Sequence, residues 1–156
     1  EKFLENVEDD DLPENERVFV SFELFEHLHD PELFLNQLSE LMNSGDIFIF
    51  TTLSGTGIDI QSLWENSKSV SPPHHLNFLN PHSVQLLLER VGLQTLEVTT
   101  PGKLDIDILS NNIDLIKDQF LKTFVRYATD EDKHVWQQMI SDTGWSSHMM
   151  VCCQKQ

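Results

Sequence analysis

A parallel α/β fold is predicted by three observations: two short apolar runs with the composition of buried strands, a capped helix between them, and connections of a few residues each. The first run is Val18-Phe19-Val20-Ser21-Phe22, β-branched and aromatic except for Ser21, a pattern that suits a strand covered on both faces. Asp30 and Pro31 then read as the N-cap and first residue of a helix, on which Phe34, Leu38, Leu41 and Met42 recur at helical spacing. Asn43-Ser44-Gly45 supplies the stop, and Ile47-Phe48-Ile49-Phe50 forms the second strand, ending in Thr51-Thr52. A strand, helix, strand unit this tight predicts parallel strands joined by a right-handed crossover.

Residues 53–79 lack sustained periodicity and are rich in Ser, Gly and Pro, which predicts a long functional or mobile loop. Gly55-Thr56-Gly57 reads as its flexible start, because a lone short glycine pattern carries little weight as a phosphate or nucleotide motif. Asn80-Pro81 opens a second helix through Val84, Leu87, Leu88 and Val91, closed by Gly92, and Leu96 and Val98 mark a strand. A helical insertion is expected over about 111–143. Its first stripe is Ile113, Ile116, Phe120, Phe124 and Tyr127, and its second, after a Thr129 and Asp132 capping box, is Val135, Trp136, Met139 and Ile140; both are expected to face a core. Met149 to Cys153 reads as a final strand, whose adjacent cysteines point to opposite faces and so serve as thiols rather than as a disulfide or metal pair. The whole of 1–156 is expected to be a single domain.

In open α/β sheets ligands bind beyond the carboxyl ends of the strands, and Glu23, Glu26 and His27 fall just beyond Phe22. Spacing alone leaves a second reading open, in which Glu26 and His27 begin a solvated helical turn.

Charge narrows the partners. Ten basic against 26 acidic residues give a formal net charge of -16, so phosphate neutralisation cannot drive binding, and neither nucleic acid nor an acidic membrane is an expected partner. The run Glu8-Asp9-Asp10-Asp11 lacks the spaced ligands and glycine of a calcium loop and reads as a solvated segment behind a short amphipathic helix carrying Phe3, Leu4 and Val7. No apolar stretch approaches the ~18 residues of a membrane span and no signal peptide is visible, so a cytoplasmic, reducing location is expected.

Taken in order, the segments resemble the second half of class I S-adenosylmethionine-dependent methyltransferases. The string Val-Ser-Phe-Glu-Leu-Phe-Glu-His-Leu-His-Asp-Pro over residues 20–31, the Asn43-Ser44-Gly45-Asp46 turn and the Thr51-Thr52 strand end are similar to that family's fourth strand, capped helix, Lys-Pro-Gly-Gly-like turn and fifth strand. Pro72-Pro73-His74-His75-Leu76-Asn77-Phe78 resembles a Pro-Pro-Glu-His-Leu-Asn-Tyr segment, Glu89-Arg90-Val91-Gly92-Leu93 a Glu-Arg-Ala-Gly-Phe segment, and Thr100 to Asp107 a sub-family signature. The resemblance implies the carboxyl-terminal part of a Rossmann-like methyltransferase sheet, parallel strands with a final antiparallel one, plus the helical insertion. The family's glycine-rich turn and its ribose-binding acid are not found, and the chain begins at Glu1 without an initiator methionine, so a truncated domain excised from something longer is expected.

The resemblance further implies S-adenosyl-L-methionine as cofactor of the complete domain, with Ser21, Phe22 and Glu23 beside its methionine portion. Methyl transfer from a sulfonium is an in-line displacement that requires the acceptor to be aligned and, where needed, deprotonated, a task suited to a neutral histidine. His27 and His75 are the candidate catalytic residues. Glu26, Trp64, His74 and Phe78 are candidates for contact with a small-molecule acceptor. No metal site is expected, since His27, His29, His74 and His75 have no accompanying cysteine and match no common spacing. The alternative function is a non-catalytic scaffold or assembly module that keeps half of the fold. In either case the edge beside Val18 to Phe22 would be apolar with unpaired backbone groups, which predicts self-association.

Overall fold

The computed structural model describes residues 17–156. The amphipathic helix and the acidic run expected before Arg17 lie outside these residues. The chain runs β1 (Val18–Phe22), a 3-10 turn (Phe25–His27), α1 (Pro31–Leu41), β2 (Ile47–Leu53), α2 (Ile58–Leu63), a 3-10 turn (Trp64–Asn66), α3 (Pro81–Arg90), β3 (Leu93–Thr99), α4 (Asp105–Asn111), a 3-10 turn (Ile113–Leu115), α5 (Gln119–Tyr127), α6 (Asp130–Asp142) and β4 (His148–Lys155).

The strands form one sheet in the order β1-β2-β4-β3. β1 and β2 are parallel, with Val18 opposite Ile47 and Phe22 opposite Thr51. β4 runs antiparallel between β2 and β3, so the final antiparallel strand expected from the resemblance sits inside the sheet rather than at its border. A bulge at Thr95/Glu97 leaves Leu96 without a partner on β4 and turns it outward.

The helix caps follow their sequence grammar. Asp30 Oδ1 accepts from the Leu33 amide at 2.8 Å, and Asn80 with Ser83 and Thr129 with Asp132 form reciprocal capping boxes. Gly45 and Gly92 end their turns at φ of 96° and 72°, in the left-handed region that glycine enters without a Cβ clash. Arg17 and Asp46 fasten the start of β1 to the turn before β2: the Arg17 amide and Nε each donate to the Asp46 carboxylate at 2.8 Å, and Nη2 donates to the Leu41 carbonyl at 2.7 Å. Burial alone would raise the Asp46 carboxyl, but the hydrogen bonds from Arg17 and the Asn43 amide, with the Arg17 charge, hold it below its usual value.

Two apolar clusters result. In the first, α1 and α3 cover one face of the sheet, packing Leu35, Leu38, Val84 and Leu88 against Phe48, Phe50, Met149 and Val151. The second lies away from the sheet and joins Leu63, Ile106, Leu109, Leu121, Val125 and Ile140 of the helices α2 to α6 with Ile116 from the connection before α5.

Several expectations are corrected here. β1 is covered on one face only: Phe19 packs against the core, whereas Val18, Val20 and Phe22 are 60%, 59% and 66% exposed, because no element among the described residues lies over that face. The segment 53–79 is not a single irregular loop, since it contains α2 and is tied back by a parallel bridge between Ser54 and Leu79. Nor is Gly55-Thr56-Gly57 a flexible start. A Cβ on Gly55 would stand 2.9 Å from Phe78 Cβ, and one on Gly57 would stand 2.4 Å from Ser147 Cα, so both are close-packing positions.

Helices begin at Asp105, ahead of the expected 111, and the two stripes are partly misassigned. Phe120 and Tyr127 point outward at 71% and 77% exposure while Leu121 and Val125 are buried; likewise Trp136 and Ile140 face inward while Val135 and Met139 do not. The reason for the first error is a break. Asp118 caps a new helix at Gln119, so the periodicity counted from Ile113 does not continue through it.

Candidate active site

The site is assembled where β1 and β2 end side by side. Just past Phe22 the chain turns through Glu23, whose φ of 50° lies in the left-handed region that non-glycine residues seldom enter. The turn is held by its neighbour strand: the Glu23 amide donates to the Thr51 carbonyl at 3.1 Å, and the Thr51 hydroxyl donates to Glu23 Oε1 at 2.7 Å. The same carboxylate lies 3.5 Å from His148 Nδ1 at the start of β4. Thr52, the next residue of β2, donates its hydroxyl to Glu26 Oε2 at 3.0 Å. Successive residues of β2 thus hold the two glutamates of the Glu-x-x-Glu-His step.

Glu26 is buried at 2% exposure, beneath a turn whose Phe25 ring stacks on Phe50 at 4.1 Å and meets Phe34 edge-on at 5.5 Å. Of the two sequence readings, a solvated helical turn therefore fits His27, which is exposed, and fails for Glu26.

The segment after the cis Pro72-Pro73 peptide is strapped onto this turn. The Leu76 and Asn77 amides both donate to the Glu26 carbonyl, at 2.6 and 3.3 Å, and the Asn77 side chain donates to the carbonyls of Phe25 and Leu28. His27 and His75 are thereby brought together, with ring centroids 4.8 Å apart in an edge-on arrangement. His27 Nδ1 lies 2.8 Å from the His74 carbonyl and His75 Nδ1 lies 2.7 Å from the Ser69 carbonyl. Carbonyls only accept, so each Nδ1 carries a proton, and the neutral tautomer that fits these contacts has its lone pair on Nε2.

The remaining candidates are distributed unevenly. His74 contributes its carbonyl to the cluster, and its side chain is exposed. Ser21 is half-buried on β1 opposite Phe50. Phe78 is half-buried against Gly55. Trp64 is 59% exposed at φ 46°, and none of the described hydrogen bonds or ring contacts joins it to the histidine pair. Sequence reasoning missed the structural parts of Thr51, Thr52 and Asn77. The strand-end Thr-Thr and the Leu-Asn after the two histidines were visible as motif, but nothing in the spacing of either showed that they bond to this turn.

Ser21, Phe22 and Glu23 stand together where β1 ends. The Glu23 amide is already bonded to Thr51, and the chain's single Gly-x-Gly is filled by Phe78 and Ser147.

Residues 6–98, more than half of the chain, match the sequence profile described as a methyltransferase domain. The chain belongs to that family. The methyltransferase domain assignment agrees with solved structures that share the fold. A mycolic acid cyclopropane synthase complexed with SAH aligns at a TM-score of 0.51 and 16% identity over 94% of this chain and 57% of the other. A SAM-dependent methyltransferase of Thermotoga maritima, described as a possible histamine N-methyltransferase, aligns at 0.56 and 11% over 94% and 60%. Phosphoethanolamine N-methyltransferase 2 of Haemonchus contortus, in complex with S-adenosyl-L-methionine, aligns at 0.53 and 17% over 88% and 33%. The chain thus spans less than two thirds of each of these proteins. No curated protein sequence matches it significantly. Among the described residues no helix is long and apolar enough to cross a membrane.

Proposed function

We propose that this chain forms the acceptor-side part of an S-adenosylmethionine-dependent methyltransferase acting on a small-molecule acceptor, with the cofactor held by the complete domain. The single observation that carries this reading is the convergence of His27 and His75, remote in sequence, on the carboxyl end of β1, with both Nδ1 atoms engaged and both Nε2 lone pairs left for a ligand. In this reading the two histidines handle the acceptor's proton, the buried Glu26 fixes the turn that carries His27, and the backbone of Ser21, Phe22 and Glu23 borders the cofactor. Among the described residues β1 is an edge strand with a bare face of Val18, Val20 and Phe22, which supports a further strand and its covering helices, supplied by the rest of a complete domain or, in the chain alone, by a second copy.

Calorimetric titration with S-adenosylmethionine tests the proposal. The gene segment including the sequence upstream of Glu1 should bind with micromolar affinity, and the 156-residue chain should bind no measurable amount. Failure of the longer protein to bind would overturn the methyltransferase reading.

A further inference from the structure

Glu26, His27 and His75 each place one potential ligand atom within 4.8 Å of the other two. We propose that these three residues form a binding site for one divalent first-row transition cation. Each imidazole has its Nδ1 committed to a backbone carbonyl, at 2.8 Å for His27 and 2.7 Å for His75. That is the arrangement by which metal-binding histidines are oriented and their Nε2 made more basic, since the outer hydrogen bond fixes both the tautomer and the ring plane. Two histidines held in this way independently, by carbonyls from different parts of one strap, bring two oriented donors to one place.

Glu26 adds a second and separate reason. Its carboxylate is buried, its hydrogen-bond partner among the described residues is the neutral Thr52 hydroxyl, and no lysine or arginine is paired with it there. A carboxylate removed from water without a cationic partner is unfavourable, and a cation at the mouth of the turn would neutralise it. Ligands about 2.1 Å from a shared ion stand roughly 3.3 Å apart, so gathering the cluster from within 4.8 Å onto one ion requires small movements of the three side chains.

The donor set selects the class of ion. Two imidazole nitrogens and one carboxylate suit cobalt, zinc, nickel or ferrous iron, while magnesium and calcium prefer oxygen ligands throughout. Three protein ligands on one side leave other positions open to water or to an acceptor oxygen, whose acidity a bound cation raises. The site thus deepens the acceptor-side proposal, on which it rests only for what fills the open positions. Ion binding itself is measured without methyl transfer, so the two can fail separately.

The test is titration of the 156-residue chain with Co2+, followed by its visible absorption and by calorimetry. One ion per chain is expected, and His27→Gln and His75→Gln should each weaken binding by about tenfold or more. His82→Gln, altering an exposed histidine on α3, should leave affinity unchanged. His27→Gln changes an exposed side chain, so folding is retained in the decisive variant, with circular dichroism as the check. Absence of binding at millimolar Co2+, or equal affinity in wild type and both cluster variants, would overturn the site.

Discussion

Thr52 donates its hydroxyl to Glu26 Oε2 across 3.0 Å, joining the end of the second strand to a buried carboxylate in the turn that follows the first. The isosteric Thr52→Val removes that donor and leaves the buried oxygen short of a partner. The expected loss is about 1–3 kcal/mol, read as a lower urea midpoint with an unchanged slope. An unchanged midpoint would show that solvent satisfies Glu26.

Asp59, on α2, is buried, and both that burial and the nearby Asp105 charge push its carboxyl up from 3.8 to about 6. Because the folded value is the higher one, its contribution is fully present below 3.8 and is lost as the pH rises through about 6. Stability should therefore fall across that window, and Asp59→Asn should flatten the fall. At pH 7 the variant should be the more stable by on the order of 2–3 kcal/mol. Urea titrations from pH 4 to pH 7 measure this, and parallel curves for the two proteins would count against it.

Gly57 begins α2 at φ -56°, a backbone that alanine adopts easily, so on chain entropy alone Gly57→Ala would stabilise. Contact decides otherwise, because the new Cβ would stand 2.4 Å from Ser147 Cα. A net destabilisation of about 1–3 kcal/mol is expected. Thermal unfolding gives the sign directly, and a rise in Tm would contradict the packing argument.

Burial, with a smaller effect from Cys152, pushes the Cys153 thiol up to about 12, and burial followed by Glu97 raises Cys152. Native protein at pH 8 should accordingly react at no more than one thiol, slowly and at Cys152, and at two once denatured. Rapid native labelling of Cys153, located by mass spectrometry, would mean that β4 opens readily.

Size-exclusion chromatography with light scattering addresses the β1 edge. Self-association is expected for the 156-residue chain, and Val20→Lys, on the exposed face of that edge strand, should reduce it. A monomeric wild type at high micromolar concentration would argue that the edge is tolerated unpaired.

Legibility in the sequence followed the range of the interaction. Caps and strand runs are local, and Asp30, Asn80, Thr129, Val18 to Phe22 and Ile47 to Phe50 all sit where their patterns put them. Helix faces were less readable, because Val135 and Met139 repeat at the same spacing as Trp136 and Ile140 and only tertiary contact separates the two rows. α2 escaped notice for its brevity, with Ile58, Ile60 and Leu63 as its only apolar residues. At the candidate site the adjacency of Glu26 and His27 was visible, but His75 arrives through the Ser54 and Leu79 bridge and the Asn77 strap, which leave no periodic signature.

The position of β4 governs when this sheet can exist at all. Phe48 and Cys153, partners across β2 and β4, are 105 residues apart in sequence, and β3 reaches the other strands only through β4. A ribosome that has released everything up to Ser147 has released a β2 bare on one side and a β3 with no neighbour. Sheet closure thus waits for β4, and until it arrives the apolar rows of both strands are open to chaperones and to mispairing.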